Sequence, residues 1–107
     1  MLLHIQHYKD SFFALPSEKQ AELLMGMLAF ADKYVKNGKM KASYTFSDVK
    51  GIASIWDDAS AEEWMRISLE YPMSPYIEVE MIPVVEYKAS VKITTEWMGA
   101  TPKTAKK

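Results

Sequence analysis

Hydrophobic and polar residues alternate at the start of the chain, where Leu3 and Ile5 are separated by His4 and Gln6. A period of two is typical of a β-strand, because successive side chains point to opposite faces of a sheet. The pattern therefore predicts a first strand over residues 2–9. We expect Leu3 and Ile5 on one face of this strand, and His4 and Gln6 on the other.

The alternation stops before residues 10–16, which contain two phenylalanines without a clear period and close on a proline. They predict a connecting loop that packs on the body of the domain. Ser17 is then the predicted N-cap of a helix, and Gln20 completes a capping box. The Asn-Gly pair at residues 37–38 is a stop signal, so the helix should end at about Lys36.

The middle of this predicted helix, residues 23–31, is apolar on every side. A four-stranded sheet covers only one side of a helix, so a second subunit or a ligand cavity is the natural cover for the rest. Gly26 lies within this run, although glycine costs roughly 1 kcal/mol relative to alanine in a helix. We expect it to mark the close approach of another backbone, a side chain or a ligand.

A period of two returns at residues 39–46 and predicts a second strand with one apolar face. A turn at residues 48–51 ends in glycine and leads into a third strand at residues 52–56, so the two strands should form a hairpin. The predicted apolar face of the second strand consists of Met40, Ala42, Tyr44 and Phe46.

A second helix is predicted after Ser60, which forms a capping box with Glu63. Apolar residues in it recur with the spacing of a helix face, and Pro72 ends it. A fourth strand follows at residues 76–81, where the alternation resumes. The stripe on the helix consists of Trp64, Ile67 and Tyr71.

The end of the chain departs from this pattern. Residues 89–98 alternate again and predict a strand-like arm. Trp97 would have little to bury against so far from the body, so we expect the arm to pack on a neighbouring subunit. The last segment, residues 99–107, is expected to be disordered.

The predicted order is strand, helix, strand, strand, helix, strand. Two split strand-helix-strand units are typical of a ferredoxin-like βαββαβ sandwich in the α+β class, with both helices on one face of an antiparallel sheet. Residues 1–88 would form this single domain. Its other sheet face is left bare and half polar, so we expect a second copy to cover it in a homodimer.

The amino-acid composition excludes several kinds of functional site. The chain has 107 residues, a formal net charge of −1 and no cysteine. The lack of cysteine excludes disulfides, thiolate nucleophiles and Cys-ligated metal sites, and the balanced charge gives no footprint for nucleic acid. No run approaches the 18 apolar residues of a membrane span, and no signal-peptide pattern is present. We therefore expect a cytoplasmic protein with no nucleic-acid or membrane partner.

Two stretches resemble a known family. Residues 54–57 read SIWD and residues 72–84 read PMSPYIEVEMIPV, with a capped helix between them. This order is similar to the S-x-(F/W)-D, helix, P-x-x-P-Y-x-x-x-E-x-x-P pattern of the muconolactone delta-isomerase family. The opening MLLHI at residues 1–5 also resembles the first strand of that family, and the resemblance extends over residues 1–88.

The resemblance implies a ferredoxin-like subunit, a dimeric α+β barrel and larger rings such as decamers. It also implies cofactor-free isomerisation of a small unsaturated lactone. The chain departs from the family in its first helix, because residues 23–31 carry no ionisable group where the isomerases carry Lys and Glu. Its second strand also lacks the Trp, Arg and His of the isomerases.

A double-bond shift in a lactone needs a base that removes a carbon-bound proton and an acid that returns one. His4 is a candidate base or hydrogen-bond donor in a pocket on the sheet, or else a structural histidine. Tyr44 is a candidate donor to a substrate carbonyl, or a core residue. Glu78 and Glu80 share one strand face about 7 Å apart, and form either an acid-base pair or ion pairs, for example with Lys41.

A soft apolar pocket is predicted between the first helix and the sheet. The resemblance implies no cofactor, and we expect no metal, since His4 and His7 point to opposite faces of their strand. The first hypothesis is a cofactor-free isomerase or cyclase acting on a small apolar lactone or enone. The second is a non-catalytic oligomeric protein of the same fold that binds a ligand or supports assembly. The predicted pocket residues are Gln6, Leu24, Met27, Leu28, Met40 and Trp56.

Overall fold

The computed structural model describes residues 1–99 and shows an α+β protein. Four antiparallel strands form one sheet in the order β2-β3-β1-β4, which is compatible with a ferredoxin-like fold. The predicted order of strands and of the two main helices is confirmed. The elements are β1 (Leu2–Tyr8), α1 (Asp10–Phe13), α2 (Ser17–Lys36), β2 (Met40–Thr45), β3 (Gly51–Trp56), α3 (Ala61–Glu70), a 3₁₀ turn (Ser74–Tyr76), β4 (Ile77–Pro83) and α4 (Tyr87–Trp97).

Strand register divides the sheet into a face covered by α2 and α3 and an open face. His4 pairs with Ser54 on one side and with Met81 on the other, so these three side chains share the covered face. Ile5 pairs with Ala53 and Glu80 on the open face. The polar side of β1 therefore faces the helices, and its apolar side faces outward.

The hydrophobic core lies between α2, α3 and the covered face of the sheet. Phe30 packs against Tyr71 of the segment after α3 with a ring separation of 4.6 Å, and Tyr34 lies 5.4 Å from the Trp56 ring of β3. Each large apolar side chain buried in this way contributes roughly 1.5–3 kcal/mol. The aromatic cluster therefore joins both helices to the centre of the sheet.

The beginning of α2 differs from the prediction. The extended N-cap residue is Pro16, not Ser17, and no side chain caps the helix. The amide of Gln20 donates to the carbonyls of Phe13 and Leu15 instead of closing a capping box. The side chain that was expected to cap the helix thus ties it to the preceding segment.

Residues 10–16 are also more ordered than the predicted loop. Asp10–Phe13 form the short helix α1, and Phe12 is buried in the core. The expected packing on the body is confirmed, but the prediction of a loop without helical structure is wrong. Lys9 supplies an extended N-cap and Asp10 an acidic first turn, which both favour a helical start.

Gly26 lies against the chain that leaves α3, as the sequence predicted. A Cβ atom built on Gly26 would lie 3.3 Å from Cγ of Pro72. This close approach lets α2 pack near the end of α3. Part of α2 is not covered, because Leu24 and Met25 are both exposed.

The prediction of a strand-like arm at residues 89–98 is wrong. Tyr87–Trp97 form the helix α4, and none of its side chains is buried. A lone strand beyond the sheet would leave its backbone groups without partners, whereas a helix satisfies them internally. Of the segment predicted to be disordered, residues 100–107 lie outside the described part of the chain.

The hairpin between β2 and β3 depends on Gly51. A Cβ atom there would lie 2.4 Å from the carbonyl oxygen of Gln6 and 2.7 Å from Cε2 of Phe46. Only a residue without a side chain fits, so the neighbouring strand β1 can approach closely.

We expect Gly51→Ala to lower the free energy of unfolding by about 2–3 kcal/mol, because the added methyl group must displace backbone. Gly26→Ala is the matched control. Its Cβ meets only the edge of a proline ring, and its gain in helix propensity offsets the small displacement, so its stability should change by less than about 1 kcal/mol. Urea denaturation measures both variants, and equal stabilities would contradict the account of the hairpin.

Over residues 1–99, no helix is long and apolar enough to cross a membrane.

Candidate functional site

A cavity of about 360 Å³ lies between the covered face of the sheet and the helices α2 and α3. Volumes of this order accommodate small organic ligands. The helix side of the cavity is mainly apolar and includes Met27, Leu28 and Ile67, with Ser68 of α3 beside them. Aromatic rings form much of the remaining wall, contributed by Phe30, Trp56, Trp64 and Tyr71.

The sheet side of the cavity carries several polar side chains among apolar ones such as Ile52 and Met81. His4 and Gln6 come from β1, and Ser54 comes from the neighbouring strand β3. Ser43 and Thr45 extend the polar surface onto β2. A ligand in the cavity would therefore place its apolar body under the helices and its oxygen atoms against the sheet.

His4 is held by stacking rather than by hydrogen bonds. Its ring lies nearly parallel to that of Trp64, with 6.2 Å between centroids, and 6.4 Å from that of Trp56. Its Nδ1 atom is buried and has no hydrogen-bond partner within the described chain. Burial lowers the pKa of the imidazole below its ordinary value of 6.5, so the ring is largely neutral at pH 7 and has a lone pair available to accept a proton.

Gln6 is fixed by Tyr71. The amide is buried, with 5% of the residue exposed, and the Tyr71 hydroxyl donates to its Oε1 atom at 2.6 Å. Burial raises the pKa of the Tyr71 phenol well above its ordinary range, so the hydroxyl keeps its proton and remains a donor. With Oε1 engaged, the NH₂ group of Gln6 is the part of the amide left to donate to a ligand.

Ser54 and Trp56 form a second fixed pair on the sheet. The indole N–H of Trp56 donates to the Ser54 hydroxyl oxygen at 2.9 Å, and both residues are buried. This bond fixes the indole plane against the cavity. The indole nitrogen of Trp64, in contrast, is buried without a partner within the described chain.

Most residues predicted to form the pocket do line the cavity, together with the candidate base His4. Leu24 does not, because the cavity meets α2 about one turn later, from Met27 to Ala31. The predicted residues that line it are Gln6, Met27, Leu28, Met40 and Trp56.

Tyr44 lies outside the cavity, so its predicted position beside the first helix was wrong. Met40 pairs with Trp56 but Ala42 pairs with Ile55, which leaves one extra residue on β2. Such a bulge reverses which side chains face the helices. Tyr44 therefore points to the open face and is 69% exposed.

Glu78 and Glu80 share one strand face, as expected, but it is the open face. In the register, Glu78 pairs with His7 and Glu80 with Ile5. The suggested ion pair with Lys41 does not form, because β2 and β4 lie at opposite edges of the sheet, and Lys41 instead contacts Asp57 at 3.3 Å. Neither carboxylate reaches a ligand in the cavity.

Sequence reasoning did not assign Trp64, Tyr71, Ser43 or Ser54 to the site. The sequence did indicate Trp64 and Tyr71, because both belong to the apolar stripe of the second predicted helix. A serine at the centre of an otherwise apolar strand was the signal for Ser54. Ser43 carried none, because its orientation depends on the bulge.

The lysines near the cavity in the described chain form ion pairs. Three lysines near the ends of α2 and β2 are each paired with a carboxylate: Lys33 with Glu70, Lys39 with Glu63, and Lys41 with Asp57. Within residues 1–99, no cluster of three or more His, Asp or Glu side chains could hold a metal ion. The chemistry available in the cavity is therefore that of neutral imidazole, amide and hydroxyl groups.

No family model matches the sequence, and comparison with curated proteins finds no match. The function must therefore be inferred from the cavity.

Proposed function

We propose that this protein is a cofactor-independent isomerase or cyclase, similar to the muconolactone delta-isomerases, acting on a small apolar lactone or enone. The observation that carries the proposal is His4, an imidazole on the wall of a cavity without charged side chains, with a buried nitrogen that has no partner in the described chain. Buried polar atoms without partners are rare and destabilising, and they concentrate at functional sites.

The proposed reaction is a double-bond shift in a β,γ-unsaturated lactone. His4 removes a proton from the carbon next to the carbonyl, and the electron pair passes to the carbonyl oxygen as a dienolate. A proton then returns to the γ-carbon, which gives the conjugated lactone and restores the neutral imidazole. No oxidant or reductant is required, and base catalysis of this kind contributes roughly 10²–10⁴-fold.

Gln6 is the proposed donor to the developing enolate oxygen. Tyr71 engages its carbonyl end, so the amide is already oriented when the charge forms. A donor that needs no reorganisation stabilises a transition state more than water does. Tyr44, Glu78 and Glu80 have no part in this proposal, because their side chains lie on the other face of the sheet.

The experiment is a direct assay. Incubation with a β,γ-unsaturated butenolide should produce the conjugated isomer, detected by its ultraviolet absorbance, at a rate proportional to protein concentration. A rate equal to that of buffer, with binding to the cavity demonstrated, would favour the alternative function of ligand binding without turnover. That alternative is favoured by the helix side of the cavity, where Met27, Leu28 and Ile67 offer no acid or base.

We further propose that two copies join into a dimeric α+β barrel, with larger rings possible, through surfaces that the single chain leaves uncovered. The open sheet face carries Leu3, Ile5 and Tyr44. Helix α4 adds Tyr87 and Trp97, which are 81% and 86% exposed. These two aromatic side chains offer roughly 300 Å² per helix, and a stable interface needs about 800 Å² per partner, so α4 and the sheet face would act together.

Ending the chain after Lys88 should lower the assembly mass measured by light scattering, because α4 and its aromatic side chains are removed. The matched control ends after Gly99 and retains all of α4. Trp97→Ser in the full chain tests the same contact without truncation. An unchanged mass in the shorter chain and in the Trp97 variant would exclude α4 from the interface.

A further inference from the structure

None of the cavity-lining residues in the described part of the chain is Lys, Arg, Asp or Glu. Lys33 and Lys41, which lie close to lining residues in the sequence, are already paired with carboxylates. Arg66 of α3 is exposed and does not line the cavity. The cavity therefore offers no countercharge to an ionised ligand.

Helix N-termini do not supply positive potential either. Helix α2 contributes its middle, Met27 to Ala31, where the effect of the helix dipole has fallen off. The contribution of α3 begins at Trp64, whose backbone N–H already donates to the carbonyl of Ser60. The polar groups that remain are neutral, and the most constrained of them is the Gln6 amide.

From these observations, and resting on the proposed function, we propose that the cavity selects an uncharged planar lactone or enone over its carboxylate counterpart. The carbonyl oxygen of the ligand accepts a hydrogen bond from the Gln6 amide. A carboxylate in the same place would lose its hydration without gaining a cation, which strongly disfavours burial. The aromatic walls formed by Trp56 and Trp64 favour a flat ring system.

The test compares coumarin-3-carboxylate with its methyl ester, two flat lactones that differ in one charge. Calorimetric titration is carried out at about pH 8, above the range in which His4 is protonated. We expect the ester to bind at least about 100-fold more tightly than the acid. An acid that binds within about threefold of the ester would overturn the inference, and so would failure of both compounds to bind.

A charge placed at the cavity wall should reduce the preference for the ester. Val79 lines the cavity and is half exposed, so Val79→Lys can put an ammonium group near the ligand without burying it fully. We expect this variant to raise the affinity for the acid about tenfold relative to the ester. Leu69→Lys is the matched control, because Leu69 is exposed on α3 and does not line the cavity. An equal gain in both variants would attribute the effect to net charge alone and contradict the inference.

Turnover separates this inference from the proposed function. Selective binding of the ester without isomerisation of the butenolide would support the preference for an uncharged ligand and contradict the proposed isomerase activity. Isomerisation of a lactone carboxylate at a rate equal to that of its ester would support the isomerase activity and contradict the preference for an uncharged ligand.

Discussion

Replacing His4 with phenylalanine is expected to abolish isomerisation of the butenolide while leaving the fold at least as stable. Phenylalanine retains the stack on Trp64 but cannot accept a proton, so the rate should fall roughly 10²–10⁴-fold. The variant also removes the buried Nδ1 atom that has no partner. We expect the free energy of unfolding to rise by about 1 kcal/mol, at the lower end of the cost of an unsatisfied buried group.

The pH dependence should change in the same variant. Because burial holds the pKa of His4 below its ordinary value of 6.5, protonation is harder in the folded state than in the unfolded chain. The contribution of His4 to stability is therefore complete above pH 6.5 and is lost as the pH falls below it. His4→Phe should remove this part of the acid sensitivity, and the wild-type rate should decline over the same acidic range.

His7→Phe is the matched control, since His7 is exposed and lies on the open face of the same strand. It should leave the rate unchanged. A His4→Phe variant that retains full turnover would exclude His4 as the base, whatever its stability.

The second large effect is expected at the Gln6–Tyr71 pair. Gln6→Met removes the proposed donor to the enolate oxygen and should lower the rate about 100-fold. It also leaves the buried Tyr71 hydroxyl without its partner, at a cost of about 1–3 kcal/mol in stability. Tyr71→Phe leaves the Gln6 carbonyl oxygen unpaired and should destabilise the protein by a similar amount.

The double variant separates stability from catalysis. With both Gln6→Met and Tyr71→Phe, no polar group is left unpaired, so the loss of stability should be smaller than the sum of the two single losses. The rate should stay low, because the donor is still absent. Tyr8→Phe is the control for loss of a tyrosine hydroxyl, since that hydroxyl contacts only the Met27 sulfur at 3.7 Å. Recovery of the rate in the double variant would contradict the role given to Gln6.

Local patterns were sufficient for much of the fold. The alternation around His4 placed it on the same face as Gln6, and the Ser60 capping box located the start of α3, where Ser60 accepts a hydrogen bond from the Glu63 backbone. Gly26 indicated a close approach by a backbone, a side chain or a ligand, and the structure shows that the neighbour is the side chain of Pro72. In each case the signal and its structural cause lie within a few residues, or depend on the lack of one side chain.

The errors arise where tertiary structure overrides the local pattern. The position of Tyr44 depends on a bulge near Lys41 that only the pairing with β3 defines. The alternation in residues 89–98 suggested a strand, but no neighbouring strand was available and the segment formed α4. The two strand-four glutamates were correctly grouped, yet which face they occupied depended on the placement of the helices.

Deuterium exchange with the solvent reports directly on proton removal by His4. The butenolide would be incubated with wild-type protein in D₂O, and proton NMR would follow the carbon next to the carbonyl and the γ-carbon. We expect deuterium at these positions at a rate that rises with protein concentration and is lost in His4→Phe. Exchange at the rate of buffer alone, with the butenolide bound in the cavity, would contradict the role given to His4.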